Sequence, residues 1–194
     1  MLASLEAHCE PDSTIYDVGA NVGIYSLALA SNEPDRTIIA VEPSRLVADQ
    51  LQSNIAVNNF QDRIIMLQCG FGAKPDRRPF HTSSFTELSG FAKESASRWE
   101  AEVVSVDSVP VQTIDEVVKQ YPSPDIIKID VEGTASAVLD GARNTLVTED
   151  PTIFFEPHSE GLVGDEPINV EEILNACEYE IDKRADFWIA TPRK

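Results

Sequence analysis

The sequence predicts an α/β fold, a three-layer α-β-α sandwich in which a largely parallel sheet is covered by helices. Three observations point to it. Apolar runs of strand length alternate with stretches of helical periodicity. Acidic residues stand at or next to the carboxyl ends of several of those runs, at Asp17, Glu42, Asp130 and Glu156. The 194 residues are 42% hydrophobic, enough for one domain with a buried interior.

The elements follow in order. Thr14-Ile15-Tyr16-Asp17-Val18 reads as a buried strand ended by Gly19, and Ile24, Leu27 and Ala28 fall at helical spacing after Gly23. Thr37-Ile38-Ile39-Ala40-Val41 is a second strand, stopped at Glu42-Pro43. Val47, Leu51 and Ile55 then mark a helix, and Arg63-Ile64-Ile65-Met66-Leu67 a third strand. This β-α-β-α-β order is the signature of parallel pairing. Between residues 70 and 108 the rhythm breaks. Phe71, Phe80, Phe85 and Phe91 lie there among many Ser and Thr, and Val104, Val106, Val109 and Val111 alternate as extra strands or a hairpin do. This segment reads as an insertion in a single domain spanning residues 1–194.

Regular alternation then resumes. Thr113-Ile114-Asp115-Glu116 is a capping box opening a helix. Asp125-Ile126-Ile127-Lys128-Ile129-Asp130 is the fourth strand. Ala135, Val138, Leu139, Ala142 and Leu146 form the stripe of one helix, and Thr152-Ile153-Phe154-Phe155-Glu156 is the fifth strand. Asn169 caps a helix carrying Ile173, Leu174 and Cys177, and two strands close the chain near Tyr179-Glu180-Ile181 and Phe187-Trp188-Ile189.

Charge excludes whole classes of partner. Against 33 Asp+Glu stand 15 Lys+Arg, a formal net charge of −18. Nucleic acids and anionic membranes are held by basic residues, so neither is an expected partner. The carboxylate excess is spread along the whole chain. It suits a surface working in high salt, where screening relieves self-repulsion, and equally a generic acidic protein. Cys9, Cys69 and Cys177 are sparse, odd in number and without a Cys-x-x-Cys pair, which fits a reducing compartment. Met1 to Asp12 has no basic residue to begin a signal peptide, and no apolar run reaches membrane-spanning length. A cytoplasmic protein is expected.

In an open parallel sheet, ligands bind beyond the carboxyl ends of the strands. The positions there are Asp17, Glu42, Asp130, Glu132 and Glu156. In Asp17-Val18-Gly19-Ala20-Asn21-Val22-Gly23 the glycines admit close backbone approach, and Glu42 can grip both hydroxyls of a ribose. A dinucleotide fingerprint needs glycine where Asn21 and Ile24 stand, and a P-loop needs a lysine that Ile24-Tyr25-Ser26 lacks. With no basic residue in the turn, a pyrophosphate has no counter-charge. An acidic turn suits a ligand bearing an ammonium and a sulfonium, S-adenosylmethionine.

Taken together, Asp17 to Gly23, Val41-Glu42-Pro43, Lys128-Ile129-Asp130-Val131-Glu132-Gly133 and Val138-Leu139-x-Gly141-Ala142 resemble the FkbM-type family of S-adenosylmethionine-dependent methyltransferases, from about Thr14 to His158. The resemblance implies the Rossmann-like class I methyltransferase sheet of seven strands, the last antiparallel. It implies methyl transfer to a hydroxyl oxygen of a sugar, polyketide or related small molecule, so the expected partner is a small-molecule or glycan acceptor. It places Asp17, Gly19, Ala20, Asn21 and Gly23 around the methionine end of the cofactor, Glu42 on the ribose, and Asp130 and Glu132 on the methyl-donor side. This chain departs from the family at Thr134-Ala135, where an acidic second residue is common.

Methyl transfer is an in-line displacement, so catalysis lies mostly in aiming the acceptor oxygen at the methyl carbon. A hydroxyl must also lose a proton, and the candidate bases are Asp130, Glu132, Glu156 and His158. His158 and Asp130 rank first, because histidine titrates near neutrality and a desolvated carboxyl becomes more basic. The bland readings stand beside these. His158 follows Pro157 in a loop and is equally a surface residue, His81 belongs to a loop, and Glu132 can bond the amides of the following helix. The Phe-rich segment either packs the extra strands or forms a lid over the acceptor. Mg²⁺ on the carboxylates has only charge in its favour, and no metal is expected. A nicotinamide-dependent oxidoreductase and a cofactor-binding protein without activity are the rival classes.

Overall fold

The structure, a computed structural model of the chain, describes residues 1–97, 99–157 and 166–193. After a short helix α1 (Leu2–Glu6), the chain builds β1 (Thr14–Val18), α2 (Ile24–Asn32), β2 (Thr37–Val41), α3 (Arg45–Val57) and β3 (Ile64–Leu67). An inserted segment follows: β4 (Gly70–Phe71), β5 (Asp76–Ser83), α4 (Lys93–Ala96) and β6 (Val103–Gln112). The remainder is α5 (Ile114–Val117), β7 (Ile126–Ile129), α6 (Ala135–Asp140), α7 (Arg143–Thr148), β8 (Thr152–Phe155), α8 (Glu166–Ala176), β9 (Tyr179–Lys183) and β10 (Trp188–Pro192).

Seven strands form one sheet in the order β3-β2-β1-β7-β8-β10-β9. From β3 to β8 every pairing is parallel, while the last strand, β10, runs antiparallel to both its neighbours. The strands are apolar on both faces because both are covered. Tyr16, Val18, Ile39, Ile127, Ile129 and Phe155 pack with α5 to α8 through Ile114, Val138, Leu146 and Leu174. Ile15, Ile38, Ala40, Ile126 and Phe154 pack on the other face with Leu5, Leu29, Leu51 and Ile55 of α1 to α3. This is the three-layer sandwich the sequence predicts.

The chain runs outward from β1 to β3, then returns to place β7 on β1's other side. The crevice between β1 and β7 is therefore the topological switch point, where the outgoing loops diverge and leave room for a ligand. Over it stands a second sheet, β4-β6-β5. β5 and β6 are antiparallel with a register shift at Thr82/Ser83, and β4 adds to β6 in parallel. The four alternating valines all lie on the single long strand β6. Val109 and Val111 are buried while Val104 and Val106 are exposed.

Two element boundaries differ from the sequence reading. The stripe from Ala135 to Leu146 is two helices rather than one. Gly141 packs on the carbonyl of Gly72 so closely that a Cβ there would collide with it, and the chain turns at that contact. Asp115 then caps the new helix: its Oδ1 accepts from the Thr145 amide at 2.8 Å and hydroxyl at 2.7 Å, and its Oδ2 from the Asn144 amide at 3.1 Å. Asn169 lies inside α8 rather than capping it, since the helix already includes Glu166 and Pro167. A proline is tolerated in a first turn because its missing amide would be unpaired there anyway. The Thr113 cap holds as expected, its hydroxyl accepting from the Glu116 amide at 3.2 Å. All three cysteines are free thiols, and among the described residues no helix is long and apolar enough to cross a membrane.

Candidate functional site

A cavity of about 370 Å³ opens at the switch point. Its floor is the strand-end loops, with Gly19, Asn21, Glu42, Asp130, Glu132 and Glu156. Its roof is the inserted segment, with Phe71 and Phe80 of the sheet and Leu88, Phe91 and Trp99 of the chain between β5 and β6. Acid below and aromatic above describes the chemistry: a cationic, flat or amphipathic ligand fits between.

The first turn is shaped by backbone geometry that glycine permits. Gly19 and Gly23 hold φ of +77° and +95°, and a Cβ on Gly19 would strike the Asp130 carbonyl, so the first and fourth loops touch with no side chain between them. The amides of Gly19 and Ala20 both donate to Val41 O, at 3.1 and 3.0 Å, fastening the turn across β2. Ala20 packs into the core, and neither it nor Gly23 lines the cavity. Asn21 does line it, also at positive φ (+50°), with its side-chain oxygen buried and no hydrogen-bond donor on it.

Glu42 stands at the end of β2, 6% exposed. Its Oε2 accepts from the Asn21 amide at 3.0 Å and its Oε1 from the Ser44 amide at 2.8 Å, so one carboxylate joins the first turn to the N-cap of α3. Burial pushes the Glu42 carboxyl up to about 7, against the pull of those two amides toward the anion. The Ser44 hydroxyl meets that of Thr82 at 3.0 Å, tying this corner to the roof strand β5.

Asp17 departs from the expectation. The pleat of β1 puts it on the face of Ile15, beneath α2, where it is fully buried and absent from the cavity lining. Ser26 Oγ donates to its Oδ2 at 2.6 Å and the Lys128 ammonium lies 3.0 Å from its Oδ1. Its structural place is under the turn rather than in the cavity wall. Asp130 and Glu132, after β7, and Glu156, after β8, all line the cavity. His158 lies outside the described residues.

Sequence reasoning passed over Lys128 and Tyr25. A lysine within the apolar run Ile126-Ile127-Lys128-Ile129 was the available signal, since a charge in a two-sided buried strand requires partners. Lys128 is 1% exposed, with its ammonium 3.0 Å from Asp17, 3.3 Å from Asp130 and 4.7 Å from the Tyr25 ring centroid. Burial works against its charge, but the two carboxylates outweigh it and hold its pKa above the ordinary lysine value. Burial, followed by the Glu156 carboxylate, likewise raises the Tyr25 phenol. Among the described residues no three His, Cys, Asp or Glu side chains converge as a metal-binding group.

A seven-stranded sheet of this order, with its last strand antiparallel and a cavity at the switch point, is the α/β Rossmann-like architecture of class I methyltransferases. The chain belongs to the FkbM methyltransferase family: the model for the methyltransferase FkbM domain matches residues 17–181. The methyltransferase sdnD of Sordaria araneosa is 27% identical, the match covering 80% of this chain and 73% of that protein. The hexuronic acid methyltransferase AglP of Haloferax volcanii is 26% identical over 86% of this chain and 63% of its own. Among solved structures, a methyltransferase FkbM from Methylobacillus flagellatus superposes with a TM-score of 0.65 at 20% identity, covering 93% of this chain. The match spans only 44% of that longer chain, so at this level it is the fold that is shared.

Proposed function

We propose that the protein is an S-adenosylmethionine-dependent methyltransferase acting on a hydroxyl oxygen of a sugar, polyketide or related small molecule. The observation that carries this reading is the pairing of Asn21 and Glu42 at the cavity wall. Asn21 offers a buried oxygen that lacks a donor, and Glu42 offers two oxygens at the end of β2. Such acceptors fit the donors of an amino-acid ammonium and a ribose. Asp130, Glu132 and Glu156 supply negative charge on the same floor for a cationic centre.

S-Adenosylmethionine, when bound, supplies a methyl group on a positively charged sulfur. The residues of this chain have three tasks around it. The floor carboxylates favour the cation, the roof aromatics exclude water, and the cavity aligns the acceptor oxygen with the methyl carbon. The acceptor's proton goes to one of Asp130, Glu132 and Glu156, or to His158, the remaining candidate. General-base assistance of this kind is worth on the order of 10²- to 10⁴-fold. The resemblance to a hexuronic acid methyltransferase supports a glycan acceptor. Screening glycan and small-molecule acceptors with methyl-labelled cofactor tests this: label transferred to a hydroxyl supports the reading, and transfer only to nitrogen or carbon overturns the acceptor assignment.

A further inference from the structure

The floor of the crevice is held by a group with no assigned part in binding or transfer. Lys128 lies in the middle of the sheet, directly across from Asp17 in the β1/β7 register. An ammonium has three protons to donate. Lys128 Nζ donates to Gly19 O at 3.0 Å and forms ion pairs with Asp17 Oδ1 at 3.0 Å and Asp130 Oδ2 at 3.3 Å. The Tyr25 ring covers it on a further side at 4.7 Å. Two of these partners lie on different loops that meet at the cavity. Gly19 belongs to the first turn, Asp130 to the loop after β7, and the two backbones touch where a Cβ on Gly19 would collide with Asp130.

We infer that Lys128 is a positioning residue, whose buried ammonium fixes the Gly19 carbonyl and the Asp130 carboxylate together and so sets the shape of the floor on which cofactor and acceptor meet. Packing alone would ask only for an apolar side chain of lysine's length, as its neighbours Ile126, Ile127 and Ile129 show. The charge is kept because the two loops need a common donor. With Asp17 as its buried counter-ion, itself oriented by Ser26, Lys128 does not cancel the Asp130 charge that faces the cavity of a cationic ligand.

This inference rests on the methyltransferase reading, and S-adenosylhomocysteine binding by the unaltered protein tests that reading separately. Removing Lys128 alone strands a buried carboxylate and can unfold the chain. The test therefore uses Asp17→Asn as background. Calorimetric affinity for S-adenosylhomocysteine is compared between Asp17→Asn and two doubles, Asp17→Asn/Lys128→Met and Asp17→Asn/Lys128→Ala. The methionine double keeps the packed volume and a cooperative melt, yet is expected to bind roughly 10- to 100-fold more weakly than Asp17→Asn, the size of effect that goes with a charge-assisted hydrogen bond. In the alanine double, added propylammonium is expected to restore part of the affinity while 1-propanol of the same shape does not. Equal affinity in the methionine double and the Asp17→Asn background overturns the inference. So does rescue by propanol as good as by propylammonium, which would reduce Lys128 to a space-filling role. If the unaltered protein fails to bind S-adenosylhomocysteine, the proposed function fails instead.

Discussion

Glu42 shows how burial can set both stability and binding. Its carboxyl holds a proton more tightly in the folded chain, at about 7, than at its ordinary value near 4.5. The stability this contributes is full below about 4.5 and is lost as pH rises through about 7. Glu42→Gln has no such proton to release, so thermal unfolding between pH 5 and 8 should show a flatter stability profile, the difference approaching about 3 kcal/mol. A flat profile in the unaltered protein would contradict this. Ribose hydroxyls donate best to the anion, so S-adenosylhomocysteine affinity should weaken as pH falls below about 7. Binding near that pH should release protons, seen as a calorimetric heat that varies with buffer. Strand-end position alone brings Glu42, Asp130, Glu132 and Glu156 to the cavity wall, because loops leaving the carboxyl edge reach the crevice, while Asn21 comes there with the first turn. Asp17 shares that strand-end position but lies buried beneath the turn, because position along a strand does not reveal which face a side chain takes. Lys128 was overlooked because its partners Asp17 and Gly19 are far away in sequence.

Helices and strands are legible in the sequence where periodicity carries the information, and less so where contacts between elements do. The runs at Thr14, Thr37, Ile64, Ile126 and Thr152 are all strands, since a buried parallel strand is apolar on both faces. The break between α6 and α7 was hidden. The stripe of Ala135 to Leu146 continues through it, while its cause, Gly141 against Gly72, belongs to tertiary packing. That break makes Asp115 a testable point of the fold. Asp115→Ala removes three hydrogen bonds at the start of α7 and should cost about 1–2 kcal/mol in chemical denaturation, with no change in S-adenosylhomocysteine affinity. The inserted sheet was legible as extra strands, but its position over the crevice was not. Its link to the floor is the Ser44–Thr82 hydroxyl pair. Thr82→Val keeps the shape and leaves Ser44 without that partner, so the roof should loosen: hydrogen exchange in residues 80–84 should rise, and unchanged exchange would show that Phe80 and its neighbours hold the roof unaided.

The net charge of −18 returns when the molecule is taken as one body. Even with Asp17, Glu42, Asp130, Glu132 and Glu156 set aside, carboxylates far outnumber the 15 basic residues. Most of the acidity therefore belongs to the surface rather than the crevice. Self-repulsion of that surface is screened by salt, so the thermal midpoint should rise as KCl is raised from low concentration toward 1 M. A falling midpoint would contradict the screening argument. The fold as a whole is legible because one pattern, apolar runs punctuated by acidic turns, encodes both the parallel sheet and the carboxylates along its carboxyl edge. The central claim is that this edge holds S-adenosylmethionine through Asn21 and Glu42. Calorimetric titration with S-adenosylhomocysteine of the unaltered protein, Asn21→Ala and Glu42→Ala tests it most directly. The account predicts saturable one-site binding weakened at least about tenfold in each variant, as expected for losing a hydrogen bond to a charged ligand group. Affinity unchanged in both variants, or no binding to the unaltered protein, would contradict it.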